Sequence, residues 1–155
     1  MTTNYDSLLQ AAESLCNDFS TKADLSSMLS HFSQSTTAFE HGDPHFAPFI
    51  GREFKGLDGM KEYFGYLGKY LTYDDMSFGE YFVDERQNKV SVKGKGRFTW
   101  VSTGVTWDEK FTYVLDFASE EEKLKVSRYQ VWADTGALHL AKLGQRVEDI
   151  PSTTD

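Results

Sequence analysis

Cysteine is almost missing from this sequence: Cys16 is the single thiol in 155 residues. A disulfide within the chain is therefore impossible, and so is a zinc site built on thiolates. Position 16 falls on the apolar stripe of the first helix, which predicts a buried, inert thiol. Proline is scarce too, at 3. No stretch reaches the roughly 20 apolar residues of a membrane span. Residues 1–6 lack the basic start and apolar run of a signal peptide, and no Asn-x-Ser/Thr acceptor occurs. These absences point to the cytoplasm and away from a membrane. Positive charge is also in deficit, with 16 Lys and Arg against 24 Asp and Glu and a net charge of −8. Nucleic-acid phosphates would be repelled by that balance. The one basic cluster, Lys93-Gly94-Lys95-Gly96-Arg97, reads as the solvent face of a strand. There is no GxGxxG, P-loop or GxSxG motif, so nucleotide binding and serine-hydrolase chemistry have no support.

What the chain has in quantity is aromatic residues: 12 Phe, 8 Tyr and 3 Trp. Aromatics fill large volumes with few rotors, which suits a wide core or the walls of an apolar cavity. Their spacing divides the sequence. Tyr5, Leu8, Leu9, Ala12, Leu15, Cys16 and Phe19 follow the i, i+3, i+4 rhythm of a helix with one buried face. A short second helix follows, N-capped by Asp24, with Leu25, Met28, Leu29 and Phe32 on its stripe. Residues 35–41 are rich in β-branched side chains and predict a strand. Residues 42–56 predict an irregular loop. A third helix begins near Asp58.

After Asp75 the period becomes two and stays two. Met76, Phe78, Glu80 and Phe82 form one face; then Val90, Val92, Gly94, Gly96, Phe98 and Trp100. Trp107, Glu109, Phe111, Tyr113, Leu115 and Phe117 follow, and last Leu124, Val126, Arg128, Gln130 and Trp132. Such alternation predicts four antiparallel strands with one covered face. Gly94 and Gly96, both on that inward face, suggest a bend or bulge that curves the sheet. Residues 135–143 predict a closing helix. Residues 1–145 thus read as a single α+β domain, and 146–155 as a polar, flexible tail.

The order helix, helix, strand, helix and four long strands resembles the NTF2-like superfamily of cone-shaped α+β domains, and within it the SnoaL-like branch with its small fungal members. The resemblance covers residues 5–143. Its most telling pieces are Phe39-Glu40-His41-Gly42, residues 51–59 (Gly-Arg-Glu-Phe-Lys-Gly-Leu-Asp-Gly) and Tyr129-Gln130-Val131-Trp132-Ala133-Asp134. It implies a curved antiparallel sheet packed with three to four helices around a pocket. This fold hosts isomerases, cyclases, dehydratases and binding modules, so it fixes no reaction. A strongly curved sheet cannot fill its wide end with its own side chains, and a cavity lined by inward-facing residues results.

Several residues are candidates to work in that cavity. If Phe39 packs inward, strand parity sends His41 inward too, where ketosteroid-isomerase-like relatives place a proton-shuttling carboxylate. Imidazole there would suit general base work; otherwise His41 bonds backbone at the loop. Asp134 either orients His41 or supplies acid, or it caps the final helix. Tyr113 either donates to a developing oxyanion, near where the isomerase-like relatives carry an oxyanion-stabilising acid, or belongs to the core. Glu80, Glu109, Arg128 and Gln130 interrupt inward faces. Glu109 and Arg128 form a sensible cross-strand pair, Glu80 lacks an obvious partner, and all four could instead lie at a wet rim. Phe98, Trp100, Phe111 and Trp132 would form the wall, with Glu80 and Gln130 as polar contacts. The cluster His41-Gly42-Asp43-Pro44-His45 matches no standard metal spacing, so no metal and no cofactor are expected. Val83, Thr99, Val101, Thr112, Val114, Tyr129 and Val131, on the nominal outer face, suggest a homodimer packed through the sheet. Together these readings describe an acid–base isomerase, cyclase or dehydratase for a small apolar cyclic or polyketide-like molecule. The alternative is a non-catalytic binding or dimerisation module with the same pocket.

Overall fold

The computed structural model describes residues 4–153. The first three residues of the segment read for a leader, and the last two of the tail, lie outside them. Helix α1 spans Tyr5–Ser20 and α2 Leu25–Leu29. Asp24 caps α2 as expected, accepting from the Ser27 backbone N–H, and Asn4 caps α1 by accepting from that of Ser7, both at 2.8 Å. Leu8, Ala12, Leu15, Cys16 and Phe19 are the buried stripe of α1. Strand β1 (Phe32–His41) and the short β2 (Glu53–Lys55) precede α3 (Gly56–Tyr70). Then come β3 (Leu71–Asp84), β4 (Lys89–Trp100), β5 (Thr106–Glu120) and β6 (Lys123–Trp132), followed by α4 (Thr135–Lys142) and a 3₁₀ turn, Val147–Asp149, in the tail. The stretch expected to be an irregular loop thus contains a strand, whose three residues pair with Thr37, Ala38 and Phe39. Three residues are too few to show a period.

The six strands form one sheet in the order β2-β1-β6-β5-β4-β3. β1 and β6 run parallel and the other neighbours antiparallel. The ends of β1 and β6, the starts of β5 and β3, and the end of β4 therefore share one edge of the sheet. Helix α3 leaves β2 beside the first half of β1 and delivers the chain to the start of β3 on the far side, so it crosses the concave face obliquely toward that edge.

Bulges decide which side chains enter. In β6, Val126 lies opposite Phe117 and Arg128 opposite Asp116, leaving Ser127 as an extra residue. One inserted residue reverses parity. Beyond it Tyr129 and Val131 are buried inward, while Trp132 is turned out at 43% exposed. The expected inward set of Arg128, Gln130 and Trp132, and the outward placing of Tyr129 and Val131, are corrected by this one residue. β3 has two such insertions, where Asp75 and Glu80 adopt φ of 53° and 55°. They curve the strand and turn Glu80 outward to Lys93, 3.1 Å away. β4 and β5 pair without interruption and keep the expected parity. Gly94 is required by packing. It lies opposite Phe111, and a Cβ there would stand 2.3 Å from the Phe111 ring. The glycine makes room for a cavity-wall aromatic.

Candidate functional site

Between the concave face of the sheet and α1–α3 lies a cavity of about 440 Å³. Its walls are mostly aromatic and aliphatic, and carboxyl groups from three strands or strand ends face it: Glu40, Glu109 and Asp134. All three come from the shared edge, Glu40 near the end of β1, Glu109 near the start of β5 and Asp134 just beyond β6.

Glu40 is the most enclosed of them. It is only 8% exposed, and the Tyr63 hydroxyl donates to its Oε1 at 3.0 Å. Side by side in the parallel register, Glu40 and Val131 both point inward, as do Ala38 and Tyr129. Removal from water penalises the charged form, so the Glu40 carboxyl is pushed up to about 8, although the Tyr63 hydrogen bond works the other way. Glu109 is also pushed up, to about 7, again chiefly by burial. The Trp107 indole N–H donates to its Oε1 at 3.0 Å and opposes the shift. Asp134 adds a smaller raising effect through its charge, while its backbone N–H bonds the Glu109 carboxyl and lowers it.

A set of tyrosines adjoins Glu40. The Tyr129 ring lies 5.0 Å from that of Tyr113 and 5.8 Å from that of Tyr63. All three are buried, and burial above all holds their hydroxyls un-ionised well above the ordinary phenol range. The Tyr129 hydroxyl interacts with those of both neighbours, and Tyr63 continues to Glu40. The series is a polar track through an otherwise apolar wall.

The candidates read from the sequence divide between the two faces of the sheet. Phe98, Phe111, Tyr113, Glu109 and Asp134 line the cavity. Asp134 also accepts from the Ala137 backbone N–H at 3.1 Å and so caps α4, one of the two readings made of it. Trp100 is buried behind the wall, stacked on Tyr70 with centroids 5.4 Å apart. His41 is on the other side. Its ring stacks on Trp132 at 4.0 Å and 7°, and its Nε2 lies 3.0 Å from the Gln130 side-chain oxygen. His41, Gln130 and Trp132 therefore form an outer-face cluster, and His41 and Asp134 do not meet in one cavity. The expectation rested on Phe39 packing inward, whereas Ala38 and Glu40 do so. Arg128 lies opposite Asp116 and Thr37, so the expected pair with Glu109 does not form. Glu40 itself was legible as the only charged residue in the run 32–41, a lone carboxylate in a strand of otherwise uncharged residues. Among the described residues no group of three His, Cys, Asp or Glu is placed to hold a metal ion, and no helix is long and apolar enough to cross a membrane.

No family model matches the chain, and no curated protein matches it in sequence. Its shape is similar to that of several solved structures. An NTF2-like protein of unknown function from Burkholderia pseudomallei superposes with a TM-score of 0.70 at 17% identity, over 84% of this chain and 92% of that one. A ketosteroid isomerase-like protein from Erwinia carotovora atroseptica gives 0.67 at 15% identity, over 86% and 98%. AusH from Aspergillus nidulans gives 0.67 at 21% identity, over 97% and 99%. At these identities the likeness is one of fold: the chain has the NTF2-like fold, as the order of its elements suggested.

Proposed function

We propose that this NTF2-fold chain is a cytoplasmic, SnoaL-like acid–base enzyme that isomerises, cyclises or dehydrates a small apolar carbonyl compound without a cofactor. The observation that carries the reading is Glu40, a carboxyl nine-tenths buried on the wall of an apolar cavity. With its proton affinity raised, Glu40 is largely protonated at neutral pH. Tyr63 donates to Oε1, so the acid proton on Oε2 is available to a ligand carbonyl. Glu109, the less enclosed of the two carboxyls, is the base. It would take a proton from the carbon beside that carbonyl while Glu40 steadies the negative charge growing on oxygen. Tyr113 and Tyr129 would relay or support that charge, and Asp134 would tune Glu109. Low water access strengthens each of these interactions.

The kinship of shape with a ketosteroid isomerase-like protein supports proton transfer as the reaction class, and the aromatic walls support a cyclic or polyketide-like ligand. A homodimer through the outer sheet face completes the proposal, with His41, Trp132 and Phe39 as part of the contact; light scattering that finds a monomer at micromolar concentration would reject that part. The reaction itself is tested by following solvent-deuterium uptake into a panel of cyclic ketones by NMR. Glu40→Gln and Glu109→Gln should each suppress exchange that the unaltered protein catalyses. Tight binding of the ketones with no exchange by any form of the protein would favour the non-catalytic binding module instead.

A further inference from the structure

Helix α3 contains four glycines, Gly56 at its first position and Gly59, Gly65 and Gly68 within it, and the surroundings of the inner three differ. Gly59 is required by packing: a Cβ there would come within 2.9 Å of the Phe54 backbone. Gly65 and Gly68 are not, since a Cβ built on either meets nothing within 4 Å. Glycine weakens a helix interior, and here no neighbour in the protein demands it. Both residues nonetheless border the cavity, together with Ala23, Leu25 and Met28 from the α2 region. Leu25 is an aliphatic side chain left 46% exposed.

Their position along α3 gives this arrangement a direction. Helix α3 has 15 residues, about 22 Å at the usual rise, and crosses from the β2–β1 side to the β3 side. Glu40, Glu109 and Asp134 belong to β1, β5 and the end of β6. Gly65 and Gly68 lie in the half of α3 that approaches β3, where Leu67, Leu71 and Met76, with the Tyr73 and Phe98 rings, make the wall largely apolar. The carboxyls of the cavity thus come from β1, β5 and the end of β6, and its wall at β3 and the second half of α3 is largely apolar, with the side-chain-free stretch of helix at that apolar end.

We infer that the gap between α2 and the second half of α3, rimmed by the exposed Gly65 and Gly68, holds the apolar tail of an elongated ligand whose oxygenated head faces Glu40 and Glu109. The inference rests on the cavity being the ligand site proposed above and adds the shape of the ligand: longer than the enclosed space, polar at one end and aliphatic at the other. Gly65 and Gly68 are then specificity-determining residues that set the length of tail admitted.

Titration calorimetry with hexanol and decanol tests this on the intact protein. Each buried methylene is worth about a fourfold gain in affinity, so the unaltered protein should prefer decanol by about tenfold or more. Gly65→Leu and Gly68→Leu should lose that preference while hexanol binding stays within about twofold, since less than one methylene's worth of contact is at stake. Gly65→Ala/Gly68→Ala should melt a few degrees higher, because the helix gains and nothing clashes. The inference is overturned if decanol keeps its advantage in the leucine variants, if the alanine variant melts lower, or if neither alcohol binds the unaltered protein. These variants leave both carboxyls in place. A Glu40→Gln chain with undiminished exchange would overturn the acid–base reading and leave the alcohol titration standing.

Discussion

Glu40 and His41 are neighbours in sequence and opposites in environment. Glu40 faces an apolar cavity, is removed from water and holds its proton tightly. His41, on the convex face, is a flat ring sandwiched into a partly exposed cluster with Trp132 and Gln130. Imidazole is the side chain best suited by its ordinary proton affinity to work near neutrality, and carboxyl is not. Here burial reverses that ranking: the group with the unpromising ordinary value is brought into range by its surroundings. Chemical type nominates a residue for acid–base work, but the face of the sheet appoints it.

The comparison can be broken most directly by removing each side chain in turn. Glu40→Gln should lower kcat by about 10²- to 10⁴-fold, the usual worth of a positioned acid or base, whereas His41→Ala should leave kcat within about twofold of the unaltered protein. Equal losses in the two would mean that both faces take part in the chemistry.

A second test uses stability against pH. Glu40 and Glu109 bind protons more tightly in the folded chain than in the unfolded one, where the ordinary value is 4.5. Their contribution to stability is therefore full below about pH 4.5 and declines as pH rises through about 7 and about 8, then levels off. Denaturant midpoints should fall between about pH 5 and pH 9, and Glu40→Gln should flatten the decline. A midpoint that rises over this range in the unaltered protein, with no flattening in the variant, would show that Glu40 is ionised and solvated.

Gly94→Ala sharpens the contrast between walls. On the concave face a methyl at this position collides with the Phe111 ring, and the loss should be about 1–3 kcal/mol by chemical denaturation. Asp134→Ala should cost about 1 kcal/mol through the lost helix cap, and it should also move the Glu109 limb of the pH–rate profile, which a cap alone would not do. The smallest effect belongs to the convex face: His41→Ala should cost about 1 kcal/mol at most, the worth of a stacked ring pair. A larger loss would mean that the cluster is buried in an assembly, and a concentration-dependent melting temperature would then identify the dimer.

The sequence by itself determined the number and order of the long elements. Periods of 3.6 and 2.0 persist over ten or more residues in α1, α3, β4 and β5, and a pattern of that length survives local irregularity. It also determined the wall residues Phe98, Phe111 and Tyr113, because β4 and β5 pair without a slip. Only the tertiary structure decided which side chains of β1, β3 and β6 enter the cavity. Parity along a strand is a running count, and a single inserted residue reverses it for every residue that follows. Ser127 moved Tyr129 and Val131 inside and Trp132 out, and Glu80 was turned to solvent by an insertion of its own. Nothing in composition marks Ser127 as the extra residue, since a bulge is defined by two residues facing one on the partner strand. The raised proton affinities of Glu40 and Glu109 were beyond the sequence for the same reason. They come from being surrounded, and the surroundings are assembled from β1, β5, β6 and α3, segments far apart in the chain.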